Sequence, residues 1–156
     1  MGVAILEFGV VFHSVIIGIT LGTTADFDTL FVVIIFHQMF EGLGLGTRLA
    51  YLPLHPTSWL PFLGGVLYGL VTPIGLAIGL AVRSSYNEDS ATANYVTGTF
   101  DSISAGILLY TGLVELLAHE FIFSRKMKEA PLSKVLLSVA EMFLGAGLMA
   151  LLGKWA

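Results

Sequence analysis

Five apolar runs, each about twenty residues long, restrict the folds open to this chain. An α-helix of about 20 residues crosses the hydrocarbon core of a bilayer, so each run is long enough to span a membrane. The apolar character is continuous and does not alternate, which favours helices over a β-barrel. The sequence therefore predicts an all-α, polytopic membrane helix bundle forming a single domain over residues 1–156. The predicted spans are 3–21, 27–46, 60–82, 100–123 and 132–152.

The composition agrees with a membrane protein. Mean hydropathy is +0.89, and only 12% of the residues are charged, which is about half the charge of an average soluble domain. The chain has no cysteine, so a disulfide framework and thiolate metal sites are both excluded. We expect the lipid bilayer as a partner of this chain, and no nucleic acid.

The positive charges predict an orientation. Five of the seven lie in the second and fourth loops or at their edges, and two lie on the opposite side. By the positive-inside rule, the side that carries five positive charges is cytoplasmic. The N-terminus is then in the cytoplasm and the C-terminus on the exoplasmic side. The five are Arg48, Arg125, Lys126, Lys128 and Lys134, and the two are Arg83 and Lys154.

A histidine and a carboxylate lie at membrane depth in the second run. His37 and Glu41 are four residues apart and share one helix face. A buried carboxylate is costly in a membrane without a compensating partner, and imidazole with carboxylate is a good ligand pair for zinc or iron. His13 lies near the middle of the first run and is expected to meet His37 where the two helices pack. The three predict a metal site near the midplane, and the alternative is a hydrogen-bonded core histidine beside a protonated glutamate.

Further polar residues lie towards the membrane surfaces. Asp101 is predicted at the exoplasmic end of the fourth span, and His119 and Glu120 at its cytoplasmic end. These residues could bind a cation at the entrance and exit of a transport path. Alternatively, they are interfacial side chains that extend to water. Glycines four residues apart also predict close helix contacts. These pairs are Gly18 and Gly22, Gly65 and Gly69, and Gly75 and Gly79.

Several segments resemble the ZIP family of metal transporters, most closely its fungal and plant zinc/iron-regulated branch. Segments 12–18, 37–46 and 98–106 resemble its fourth, fifth and seventh transmembrane helices. The resemblance implies import of a divalent metal across the plasma membrane into the cytoplasm. Zinc is the expected cargo, Fe²⁺ and Mn²⁺ are alternatives, and no cofactor is expected.

The resemblance also assigns site residues. His13, His37 and Glu41 match the family's primary metal site, and His119 with Glu120 matches a His-Glu pair near the cytoplasmic exit. Some members have a second carboxylate where this chain has Ile17, and a second, adjacent metal site. At that second site this chain has poor ligands, so the resemblance implies a site for one metal. These poor ligands are Ser14, Gln38 and Thr72, which we expect to lie along the transport path together with Asp101, His119 and Glu120.

The match covers the last five of the family's eight transmembrane helices. We therefore expect a zinc transporter or the C-terminal portion of one. The alternative is a non-transporting, metal-binding membrane subunit or fragment that needs a full-length partner. The sequence is also compatible with assembly into a homo-oligomer. An intramembrane metalloenzyme would need a motif such as His-Glu-x-x-His. His119 and Glu120 are followed by no second histidine, so we expect no enzyme.

Overall fold

The computed structural model describes residues 2–55, 57–85, 87 and 90–155, and within them every regular element is helical. Five helices are long and apolar enough to cross a membrane, so the predicted all-α membrane bundle is confirmed. Helix α4 continues without a break as a π-helix, Thr111–Ile122. The helices are α1 Gly2–Thr23, α2 Phe27–Ala50, α3 Leu60–Val82, α4 Ala91–Tyr110, the short α5 Arg125–Lys128 and α6 Leu132–Leu152.

The helix bounds match the prediction for α3 and α6, but not for α4. Helix α4 begins at Ala91, within a segment predicted to be a loop up to residue 99, and this part of the prediction was wrong. The side chain of Ser90 caps the helix by accepting a hydrogen bond of 3.1 Å from the Ala93 N–H. Capping starts the helix among polar residues, outside the apolar stretch that hydropathy detects.

Helix α1 lies at the centre and packs most extensively against α3, with further contacts to α4 and α2. Glycines permit the close approach of α1 and α3. A Cβ atom at Gly22 would lie 2.7 Å from the Gly79 Cα, and one at Gly75 would lie 2.5 Å from the Val15 carbonyl oxygen. The predicted close contact is thus confirmed for Gly18, Gly22, Gly75 and Gly79.

The third glycine pair does not take part in such a contact. A Cβ atom at Gly65 or at Gly69 would have no neighbouring atom within 4 Å among the described residues. The prediction of close packing was therefore wrong for this pair, because both glycines lie on an exposed face of α3.

Helix α6 is peripheral. It contacts α2, and none of its described residues is buried. Its outward side chains are large and apolar, as at Phe143 and Leu144. Such a surface suits a hydrocarbon environment in which the backbone hydrogen bonds are satisfied within the helix.

Candidate metal centre

Three side chains predicted as metal ligands meet between α1 and α2. His13 Nε2 lies 3.4 Å from His37 Nε2. The Glu41 Oε1 atom lies 3.6 Å from His13 Nε2 and 3.7 Å from His37 Nε2. Each residue thus directs one ligand atom at a common point, and all three side chains are largely shielded from solvent.

The spacing of these three atoms suits zinc. Zinc held at about 2.0–2.1 Å by four tetrahedral ligands keeps those ligands about 3.3–3.4 Å apart. The observed separations of 3.4, 3.6 and 3.7 Å would need to contract by only a few tenths of an ångström. Three protein ligands leave the fourth position for water, as in zinc sites that exchange ligands.

The helical hairpin explains why these residues meet. His13 and His37 stand at equal distances along the chain from the loop that joins α1 to α2. Equal distances place two residues at the same depth in a pair of antiparallel helices. Glu41 lies one turn beyond His37 on the same face, and its carboxylate reaches the two imidazoles.

One carboxylate oxygen of this cluster has no hydrogen-bond partner within the part of the chain that the structure describes. Glu41 Oε2 is buried and has no hydrogen bond to any described residue. An unpaired buried carboxylate oxygen is costly, and a cation held by the cluster would compensate it. The unsatisfied atom and the two neighbouring imidazoles therefore fit a divalent metal as the missing partner.

Ser104 of α4 is a neighbour of this cluster that the sequence did not identify. Its Oγ lies 3.0 Å from His13 Nδ1, and its side chain is fully buried. The contact joins residues 91 positions apart, so only tertiary packing reveals it. The available signal was that Ser104 lies one turn after Asp101 on the same helix, within the segment that resembles the family's seventh helix.

A hydrogen-bonded group next to the cluster connects three helices. It consists of Ser14, Gln38 and Thr72, which were predicted as part of the transport path. The Gln38 side-chain N–H₂ donates to Ser14 Oγ at 3.2 Å and to Thr72 Oγ1 at 2.6 Å. The Tyr68 hydroxyl donates to the Gln38 backbone oxygen at 2.8 Å. In this arrangement the Gln38 amide ties α2 to both α1 and α3 immediately next to His37.

Asp101 lies on one side of the histidine pair. Together with His13, His37 and Ile17, it lines a half-open cavity of about 310 Å³. The remaining wall is mostly apolar and comes from α1 and α2. Asp101 thus faces the same cavity as both imidazoles, from the end predicted to be exoplasmic.

His119 and Glu120 lie at the opposite end of the bundle. Both side chains are exposed on the π-helical continuation of α4, and they line a surface cavity with Lys126 and Lys134. Glu120 forms an ion pair with Arg48 at the end of α2. The structure therefore does not bring these two residues into the central cluster.

The five apolar helices describe a multi-pass membrane protein. Three side chains of the types that bind metals meet within its bundle, largely shielded from solvent. A family model described as ZIP Zinc transporter matches residues 1–153, and the chain belongs to the ZIP family. The resemblance inferred from the sequence is thereby confirmed.

Curated relatives from fungi and plants carry matching names. The chain is 51% identical to zinc-regulated transporter 2 of Saccharomyces cerevisiae, over 100% of this chain and 38% of the relative. It is 53% identical to zinc-regulated transporter 1 of the same yeast, over 97% of this chain and 41% of the relative. Zinc transporter 8 of rice (Oryza sativa subsp. japonica) is 43% identical, over 97% of this chain and 39% of the relative.

The chain spans about two fifths of the length of these relatives. The comparison with solved structures found no match.

Proposed function

We propose that this chain forms the metal-conducting part of a zinc transporter that carries Zn²⁺ into the cytoplasm. The observation that supports this most directly is the convergence of His13, His37 and Glu41, with ligand atoms 3.4–3.7 Å apart at membrane depth. Membership of the ZIP family and the zinc transporters among its relatives agree with zinc as cargo. Zinc is the substrate here, no resident cofactor is proposed, and no catalytic reaction is assigned.

The proposed path has three stages. A hydrated cation enters the cavity that Asp101 shares with the two histidines, where the carboxylate attracts it. The cation then exchanges water for His13, His37 and Glu41 at the midplane. It leaves towards the end that carries His119 and Glu120. Because three protein ligands leave one position open, the ion can be released by ligand exchange.

We place the N-terminus in the cytoplasm, the C-terminus on the exoplasmic side and the protein in the plasma membrane. The five-to-two distribution of positive charges supports this orientation. The ion pair between Arg48 and Glu120 is consistent with it, since it brings the ends of α2 and the π-helix to one side. Imidazole and carboxylate also accept Fe²⁺ and Mn²⁺, so both ions belong in the transport assay as competitors.

Zinc flux into liposomes tests the proposal. The chain is purified, reconstituted into vesicles that contain a zinc-sensitive dye, and compared with His37→Ala. Wild-type protein is expected to admit zinc and the variant to lose the flux. His55→Ala is the matched control, because His55 lies in a loop and bonds only to Thr57 among the described residues. Equal flux in wild type and His37→Ala would contradict the proposal.

A second arm distinguishes the alternative of a metal-binding subunit. The chain is reconstituted together with a full-length relative such as the yeast zinc-regulated transporter 1. If the chain alone binds zinc but conducts none, and it alters the flux of the relative, the subunit function is supported instead. Cross-linking of the reconstituted chain reports whether it assembles with itself.

A further inference from the structure

We propose that Ser104 is a positioning residue that orients His13 for metal binding. The inference rests on the proposed zinc site and adds a residue from α4, a helix that supplies none of the three ligands. The juxtaposition that carries it is the 3.0 Å contact between Ser104 Oγ and His13 Nδ1, on the side of the ring away from His37 and Glu41.

The hydroxyl of Ser104 differs from other hydroxyls on α4 and at the start of its π-helical continuation. Thr99, Ser102 and Thr111 each donate to a backbone carbonyl four residues earlier, as hydroxyls in helices often do. Among the described residues, the hydrogen-bond partner of Ser104 is the His13 ring. Ser104 is 1% exposed, so water does not compete for this contact. Its hydroxyl therefore acts on the imidazole of α1 and not on its own backbone.

Orientation matters because the two ring nitrogens of a histidine have different tasks. A metal-binding imidazole uses one nitrogen as ligand, while the other donates its N–H to a fixed acceptor. With zinc on His13 Nε2, Nδ1–H donates to Ser104 Oγ, which holds the ring plane and the position of the proton. A serine hydroxyl can also donate to an unprotonated Nδ1, so the contact persists when the metal has left.

The partner of the second ligand is different. Among the described residues, the hydrogen-bond and ion-pair partners of the His37 ring are His13 and Glu41, both within the cluster. His13 is thus the one histidine of the pair that is fixed from outside the cluster. We infer that His13 is the pre-oriented ligand, and that His37 and Glu41 adjust to the ion around it.

The test compares wild type with Ser104→Ala. Alanine is small and helix-favouring, so the variant is expected to fold. Zinc affinity, measured by calorimetry on protein in nanodiscs, is expected to fall about 10–100-fold, the usual effect of losing such a hydrogen-bond partner. Ser102→Ala is the matched control, because Ser102 is exposed and its hydroxyl bonds to the Gly98 carbonyl. This control is expected to bind zinc like wild type.

A spectroscopic measurement separates positioning from a loss of packing. In metal-free protein labelled with ¹⁵N-histidine, the His13 Nδ1 shift is expected to differ between wild type and Ser104→Ala, because Nδ1 loses its hydrogen-bond partner in the variant. The His13 signals are assigned by their absence in His13→Ala. Unchanged His13 nitrogen shifts together with unchanged zinc affinity in Ser104→Ala would overturn the inference. Failure of wild type itself to bind zinc would instead count against the proposed function.

Discussion

Two regions of this molecule contain the same residue spacing but differ in structure. His37 and Glu41 are four apart on α2, and Glu115 and His119 are four apart near the other end of the bundle. The first pair is joined by His13 from α1, and the three side chains form a partly buried cluster. In the second region His119 is exposed, and no group of three potential ligands forms there among the described residues.

The two regions also differ in helix type. Helix α2 is α-helical, whereas Glu115 and His119 lie on the π-helix, where hydrogen bonds connect residues five apart, as between the Phe123 N–H and the Ala118 carbonyl at 2.9 Å. Residues four apart lie near one face in either helix, so helix type does not separate the two pairs. The difference lies in the partner helix, because α1 brings His13 to His37 and Glu41.

The largest effect on zinc affinity is expected when the carboxylates of the two regions, Glu41 and Glu115, are replaced in turn. Glu41→Gln removes the negative charge of the cluster. Loss of a residue that only supports a metal ligand lowers metal affinity about 10–100-fold, so we expect a larger fall in zinc affinity for Glu41→Gln. Glu115→Gln should leave the affinity unchanged. Calorimetry on both variants in nanodiscs measures the difference. Similar losses in both would mean that the two regions share a function.

The glycine pairs also share one spacing but differ in whether they contact another helix. Gly22→Ala adds a Cβ that would meet the Gly79 Cα at 2.7 Å, and overpacking of this kind costs about 1–3 kcal/mol. Gly65→Ala has no atom to meet within 4 Å, so it should stabilise its helix by about 0.5–1 kcal/mol. Thermal unfolding in one detergent measures both. Destabilisation by Gly65→Ala would reveal a contact outside the described structure.

The central features of this fold and site could be predicted because they depend on local patterns. The length of the apolar runs predicted the five spans. The short loop between the first two spans predicted that His13 lies beside His37. Contacts between helices distant in sequence were not predictable. Ser104 reaches His13 across 91 positions, and the Arg48 ion pair with Glu120 needs the π-helix to end beside α2. Glycine spacing likewise identified possible contact faces, but not which of them would face another helix.

The smallest effect is expected at the ion pair between Arg48 and Glu120. The Glu120 side chain is 57% exposed and that of Arg48 is 25% exposed, and pairs on such surfaces contribute about 0.2–1 kcal/mol. A double-mutant cycle with Arg48→Gln and Glu120→Gln, followed by thermal unfolding, isolates their coupling. The coupling should shrink in high salt, because exposed charges are screened. A coupling well above about 1 kcal/mol that is insensitive to salt would show a desolvated pair. The end of the bundle that carries Glu120 would then resemble the cluster of His13, His37 and Glu41 more closely than its exposure suggests.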